Sequence, residues 1–572
     1  MLRYVLFALL IVVLVSGGYY ILSNKKTYTS DAATLANGKT LFTKNCISCH
    51  SLQDDGIGPP LGGITNLLPQ KTLFDFISDP SKQIASNDQR AMMLHARYKQ
   101  IMPSFNWMKK EEINSILSYI NQQTELHHIE AYKITDTANA GLTGRLVAPV
   151  KNSGLKIELE EVVQIPRIKD ASPDLGIVTL RAHPSGDGTF FVSDQNGVIY
   201  SINNGKAETF LDVRKEIKDF QAGPGIATGV GSFDFHPDFL NNGLIYITYA
   251  EKNIGQKPDY AVVSDTLQSV VQWIISEWKM NNVKDKVFRG THRELLRLHA
   301  PSYAHGCQDL SFIPGLDKKD PDYGLLYFGY GDGGSNNIKR PELGHNLKSF
   351  LGTIMRIDPA GHNSRNGRYG IPAGNPFVNE TDLATVKEIY AYGFRNPHRL
   401  AWDATNKNRM MATDIGESNI EEINIIEKGG DYGWPRREGN YAIATLKDLK
   451  KVYQPGESEH YVYKKPFAVY DHTDGNAISG GYVYEGNLAP LKNKYIFGDI
   501  VNGKLFFVNV DPQLKDSAVY QLTIVENGKE TNLQEMSHTK RLHLRIAYDQ
   551  YAKQLYVITK ADGKVRRVKK VY

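Results

Sequence analysis

The chain has 572 residues, more than one ordinary hydrophobic core organises, so at least two domains plus terminal extensions are expected. Sixty-seven Lys and Arg against 62 Asp and Glu leave a net charge of +5, which gives no electrostatic case for nucleic acid as a partner. Three cysteines cannot build a disulfide framework; two share one short motif, and Cys307 stands alone and reads as a small buried hydrophobe.

From Tyr4 to Leu22 the chain is apolar apart from Ser16, Gly17 and Gly18, with Arg3 before it and Lys25-Lys26 after it. About 20 such residues can cross a bilayer as a helix. A cleavable signal would end on small residues, whereas here Tyr19-Tyr20-Ile21-Leu22 follow them, so residues 1–26 read as an uncleaved transmembrane anchor.

A helix from about Leu35 to Asn45 feeds Cys46-Ile47-Ser48-Cys49-His50, and C-x-x-C-H reads as covalent attachment of haem c. Cys46 and Cys49 would add to the two vinyl groups, and His50 would reach the iron as an axial ligand. Such attachment takes place outside the cytoplasmic membrane, which puts the bulk of the chain on the periplasmic side of a bacterial inner membrane. Gly56-Ile57-Gly58-Pro59-Pro60-Leu61 is a stiff loop suited to packing against His50. Met102, in Ile101-Met102-Pro103, is the expected second axial ligand; Met92, Met93, Met108 and His95 are its rivals. Ile113, Ile116, Leu117 and Ile120 fall at helical spacing in a closing helix. Residues 33–123 together resemble a class I cytochrome c, a small all-α domain, and imply electron transfer.

Residues 124–155 lose periodicity and read as a linker. Beyond them come short runs bounded by turn residues: Thr189–Ser193, Leu244–Thr248, Leu325–Gly329, Lys494–Gly498 and Gln554–Ile558. Many short strands without long amphipathic helices between them favour a β-propeller over residues 156–572.

Within that span Phe235-His236-Pro237-Asp238-Phe239, Leu351 to Asp358, Gly374-Asn375-Pro376-Phe377, Tyr392 to Asp403, Asp414-Ile415-Gly416-Glu417 and Gly430-Asp431-Tyr432-Gly433-Trp434-Pro435 occur in order. In these motifs the chain resembles the soluble glucose/sorbosone dehydrogenases that use pyrroloquinoline quinone (PQQ). The resemblance implies a six-bladed propeller, hydride transfer from a sugar or alcohol to PQQ, and a Ca²⁺ that polarises the quinone. It places His305 as the base, Arg395 and Asn396 on PQQ with Arg395 also catalytic, Arg541 in a cofactor clamp, and the Gly433 and Pro435 carbonyls on Ca²⁺. The chain departs from the family pattern in five places. Cys307-Gln308 replaces paired glycines, Ala227 stands about where a Gln or Glu is common ahead of Phe235, the cofactor-facing threonine position falls near Gly475, a lysine is missing between Gly498 and Lys504 unless Lys504 reaches around, and Arg541-Leu542-His543 replaces Arg-x-Arg. The long segment Asn253 to His299 is expected to line the entrance. The whole reads as an anchored quinohaem dehydrogenase delivering electrons to its own haem and then to an external cytochrome or oxidase. The alternative is a propeller without PQQ that binds glycan or protein beside an electron-transfer cytochrome.

Overall fold

The structure, a computed structural model, describes residues 28–572 apart from 48, 54–57, 87, 99–100, 133–141, 143, 169–170, 172–175, 225–226, 263–266, 335–336, 404–408, 444, 447, 456–461 and 540–541. The expected anchor over residues 1–26 and the expected clamp residue Arg541 lie outside the described residues. Among the described residues no helix is long and apolar enough to cross a membrane. The chain divides into two compact units, Met1–Asp136 and Thr137–Tyr572.

In the first unit, helices Ala32–Asn45 and Lys110–Leu126 cross where an added Cβ on Gly38 would stand 2.0 Å from the Ser115 carbonyl oxygen. Glycine there lets the two backbones touch. The Asp31 carboxylate caps the first helix by accepting from the Thr34 N–H at 2.8 Å. Phe42, Ile64, Leu73, Met108, Ile113, Ile116, Leu117 and Ile120 form the core. Three of the four apolar residues that marked the closing helix are at most 2% exposed and the fourth is fully buried.

Among the described residues the second unit is built on six four-stranded antiparallel sheets, with one extra short strand on the outside of the second and of the fifth, and a separate three-stranded sheet of Arg437–Glu438, Tyr441–Ile443 and Val452–Tyr453. Their innermost strands are Ile177–Ala182, Val230–Phe235, Asp309–Phe312, Pro397–Trp402, Ile478–Val483 and Leu544–Asp549. Each touches the next, and the sixth touches the first, so the six sheets, blades 1 to 6, close a ring. The strand Lys151–Gln164 supplies the outer strand of blade 6 by pairing antiparallel with Lys564–Val571, and it also pairs parallel with Tyr520–Glu526 of blade 5. The start of the second unit is thereby fastened to its end.

Both ends of the expected linker are structured. Thr124 is buried in the closing helix and accepts the Gly63 N–H. Leu142, Leu146 and Val147 pack against Trp434, Tyr441 and Leu449, and the Leu146 and Val147 N–H groups reach Asp471. Short polar composition concealed this docking because the partners are 300 residues away.

Successive strands of a blade run in opposite directions, so the N-terminal ends of the inner strands and the C-terminal ends of the second strands meet at one end of the ring, here called the mouth. Lys252, the mouth end of a second strand, faces Val271, and Leu244 faces Lys279. The hairpin turn at 281–289 therefore lies at the far end. Of the segment Asn253 to His299, expected to help line the entrance, Val271–Met280 and Gly290–Ala300 are buried blade strands, and among the described residues between the second and third strands 253–262 and 267–270 lie at the mouth end.

Candidate functional site

His305 lies in the mouth loop ahead of the blade 3 inner strand, in a left-handed conformation with φ of 50°. Asp332, just past the second strand of the same blade, fixes its ring: Nδ1 lies 2.6 Å from the Asp332 Oδ1. That carboxylate is itself held, accepting from the Gly334 N–H at 2.8 Å and from the Trp434 indole N–H at 2.9 Å. It is 1% exposed, so its charge is directed at these donors with little water to screen it. With Nδ1–H donated to a carboxylate, the lone pair of the imidazole sits on Nε2. Close approach is possible because Gly331 has no side chain; a Cβ there would stand 2.5 Å from the His305 Cβ and 3.1 Å from the Arg395 carbonyl.

Arg395 and Asn396 precede the blade 4 inner strand, and the two Asp414 oxygens accept their backbone N–H groups at 3.0 and 2.6 Å. The Arg395 carbonyl accepts the Asp332 N–H at 2.7 Å, which ties this loop to the His305 dyad. The guanidinium donates to Glu417 through Nε at 2.8 Å and Nη2 at 2.6 Å, and through Nη1 to the Ile415 carbonyl, with its carbon 5.8 Å from the Trp434 ring centre. Burial works against this charge, but Glu417 and Asp332 outweigh it and raise the Arg395 pKa above its ordinary value. Three of five N–H donors are engaged by these contacts, leaving two for a ligand. The Asn396 side-chain amide meets no hydrogen-bond partner among the described residues and suits a ligand carbonyl.

The structure brings together His305, Arg395 and Asn396 and separates other expectations from them. Lys504 does not reach around; its ammonium donates to the Asp474 carbonyl at 2.8 Å. Gly475 leaves no room for a side chain, since a Cβ would stand 2.5 Å from an Asp499 oxygen that caps Asn476 and Ala477. Gly433 is corrected as a calcium ligand: its carbonyl accepts the Arg436 and Arg437 N–H groups at 2.7 and 2.9 Å, so the turn uses both lone pairs. The Pro435 carbonyl meets no donor among the described residues, and no group of three or more potential acidic, Cys or His ligands occurs among them. Of the two expected carbonyls the turn therefore takes up Gly433 and leaves Pro435 open, and no chemical step is assigned to that ion.

Asp332, Glu417 and Trp434 were not singled out in the sequence. Asp332 had a signal in Gly331-Asp332-Gly333-Gly334, where glycines at φ of 67° and 68° turn the chain back over the acid. The mouth also suits an anionic planar ligand: the Arg545 Nε is buried without a partner, and Lys560 beside it has no carboxylate in hydrogen-bond contact among the described residues.

In the first unit Cys46 and Cys49 stand one turn apart and are not joined in a disulfide, the Cys49 and His50 N–H groups both reaching the Cys46 carbonyl. Burial, with Cys49 adding to it, pushes the Cys46 thiol up to about 12. The His50 Nδ1 lies 2.8 Å from the Pro59 carbonyl, the kind of contact that orients a ligating imidazole. A Cβ on Gly58 would stand 2.3 Å from the His50 ring, so the loop closes on the imidazole itself. This donor set fits haem c. Met102 is half-buried in a loop fastened by the Phe105 N–H to the Ile77 carbonyl at 3.1 Å and by the Ser104 hydroxyl to Ser78. Of its rivals, Met108 is in the core and Met92 is 45% exposed.

A family model for Glucose / Sorbosone dehydrogenase matches residues 179–567, and one for Cytochrome c matches residues 35–124. The chain is 28% identical over 383 residues to the HIPL2 protein of Arabidopsis thaliana, covering 58% of this chain and 52% of that protein. It thus spans about half the length of that plant relative. It is 26% identical over 377 residues to quinoprotein glucose dehydrogenase B of Acinetobacter calcoaceticus, covering 55% of this chain and 71% of that protein. The crystal structure of the soluble aldose sugar dehydrogenase of Escherichia coli in the apo form matches with a TM-score of 0.50 at 18% identity, over 73% of this chain and 99% of that one, and so shares the fold.

Proposed function

The chain belongs to the Glucose / Sorbosone dehydrogenase family, and on that premise we propose that it is a quinohaem dehydrogenase that oxidises a sugar hydroxyl at the propeller mouth and passes the electrons to its own haem c. The observation that carries this reading is the His305–Asp332 pair at the mouth, in a chain that also bears the haem attachment motif. PQQ, when bound, supplies a quinone that accepts hydride, and haem c supplies a one-electron carrier. The Nε2 of His305 takes the hydroxyl proton as the carbon is oxidised, and the buried Asp332 carboxylate stabilises the imidazolium so formed. Arg395, anchored by Glu417, keeps two N–H donors for an oxygen of the ligand, and Asn396 offers an amide beside it. On the haem side His50 is the expected proximal ligand and Met102 the distal one, with Cys46 and Cys49 as thioether partners.

The reading extends to location and partners. The apolar run from Tyr4 to Leu22 supports an anchor in a bacterial inner membrane with both units periplasmic, and a soluble cytochrome or an oxidase as external acceptor. Tethering donor and acceptor in one chain raises their effective concentration. The test is reconstitution: full-length haem-loaded protein plus PQQ, with and without Ca²⁺, should reduce its haem on addition of aldoses. Quinone that fails to bind would leave the propeller as a glycan- or protein-binding module instead.

A further inference from the structure

The mouth buries positive charge that makes no hydrogen bond or ion pair with a carboxylate among the described residues. Lys560 follows the second strand of blade 6, is 7% exposed, and donates to the Gln195 side-chain oxygen at 3.1 Å. Arg545, on the inner strand of the same blade, is 6% exposed; its guanidinium donates to the carbonyl of its neighbour Leu544, and its Nε has no partner. Arg399 of blade 4 reaches the Gln308 and Val178 carbonyls, and the buried His398 ring has an unpartnered Nδ1. The acids nearby are committed elsewhere. Asp194 accepts the Gly176 and Asn196 N–H groups at 2.8 and 2.7 Å, and Asp309 accepts from Arg181, Ser232 and the Leu400 N–H. Burial first, then their mutual repulsion with Arg399, hold Lys560 and Arg545 well below their ordinary pKa values.

Removing a charge from water without a counterion is strongly unfavourable, so a fold that keeps several such cations together has a place for an anion. Two guanidinium groups and an ammonium call for a ligand with more than one negative charge, and a flat molecule with several carboxylates meets that requirement where chloride does not. We propose that Lys560 and Arg545 form a carboxylate-binding subsite at the mouth whose occupant is PQQ. The subsite rests on the functional reading above. It assigns cofactor affinity to blade 6 residues in a chain whose Lys504 is turned to Asp474.

The test uses full-length haem-loaded protein, PQQ titrated by fluorescence quenching, and thermal midpoints with and without PQQ for wild type, Lys560→Met, Lys560→Arg and Arg545→Met. Loss of a charge-assisted hydrogen bond should weaken PQQ binding about tenfold or more in the two Met variants, with Lys560→Arg retaining most of the affinity. Without PQQ both Met variants should melt higher than wild type, because an uncompensated buried charge has gone. Unchanged PQQ affinity in Lys560→Met, or a lower midpoint without PQQ, overturns the subsite while leaving the dehydrogenase reading intact. Failure of wild type to bind PQQ overturns both. Protection by phosphate or gluconate in place of PQQ overturns the assignment of the occupant.

Discussion

Asp332→Asn is the substitution that separates a catalytic dyad from a structural histidine. The carboxylate accepts hydrogen bonds from His305 Nδ1 at 2.6 Å, the Gly334 N–H at 2.8 Å and the Trp434 indole at 2.9 Å. An asparagine has one oxygen to offer. If its oxygen stays on the His305 and Gly334 side, its amide N–H₂ faces the indole N–H, and a buried donor is left unpaired at a cost of about 1–3 kcal/mol. If the amide flips, its N–H₂ faces Nδ1, the imidazole takes the other tautomer, and Nε2 carries the proton instead of the lone pair. Neither arrangement keeps a negative charge beside an imidazolium. Turnover of an aldose by PQQ-loaded protein should therefore fall by roughly 10²–10⁴, with the haem spectrum unchanged and the PQQ dissociation constant little altered. Stopped-flow haem reduction under single-turnover conditions is the assay, with the melting curve as control. A folded Asp332→Asn protein whose rate stays within about threefold of wild type would refute the assignment of His305 as base.

Glu417→Ala leaves the buried Arg395 guanidinium without its carboxylate and should destabilise the propeller by about 3–5 kcal/mol in denaturant titration, with loss of PQQ affinity. Gly58→Ala drives a methyl group into the His50 ring and should abolish the low-spin haem spectrum, read by absorbance after covalent attachment. Met102→Ala should lower the haem reduction potential in a spectroelectrochemical titration, since a thioether ligand raises it; an unchanged potential would move the role to Met93 or His95. Burial pushes the Glu422 carboxyl up to about 7 and raises Asp414 and Glu421 with it. The native state then holds protons that the unfolded chain gives up near 4.5, so this stability is full below 4.5 and is lost as pH rises to about 7. Melting midpoints should decline over that window and decline less in Glu422→Gln.

The sequence displayed some parts of this fold far better than others, and the reason is burial. All five runs first read as strands are second strands of blades, as Phe190–Asp194, Leu244–Lys252, Leu326–Tyr330, Lys494–Asp499 and Gln554–Thr559. A second strand is packed on both faces by neighbouring blades, so it reads as a continuous apolar and aromatic run. Inner strands face the axis and carry His398, Arg399 or Arg545, which breaks that pattern. The Lys151–Gln164 strand was concealed for a related reason, with a burial pattern that is half exposed along its length. At the site, His305 and Arg395 were visible through motif position, but their acids were not. Asp332 and Glu417 are brought to them by sheet pairing across 27 and 22 residues, a distance no local pattern reports. Gly433 misled because a carbonyl's direction depends on the turn that follows it.

The central claim is that sugar oxidised at the propeller reduces the haem of the same chain. The direct measurement is anaerobic stopped-flow mixing of PQQ-loaded full-length protein with excess aldose, without external acceptor, following the haem α-band across a range of protein concentrations. Haem reduction at a first-order rate independent of protein concentration is the expected result. A haem that stays oxidised while PQQ is reduced, or a rate that climbs in proportion to protein concentration, would contradict it.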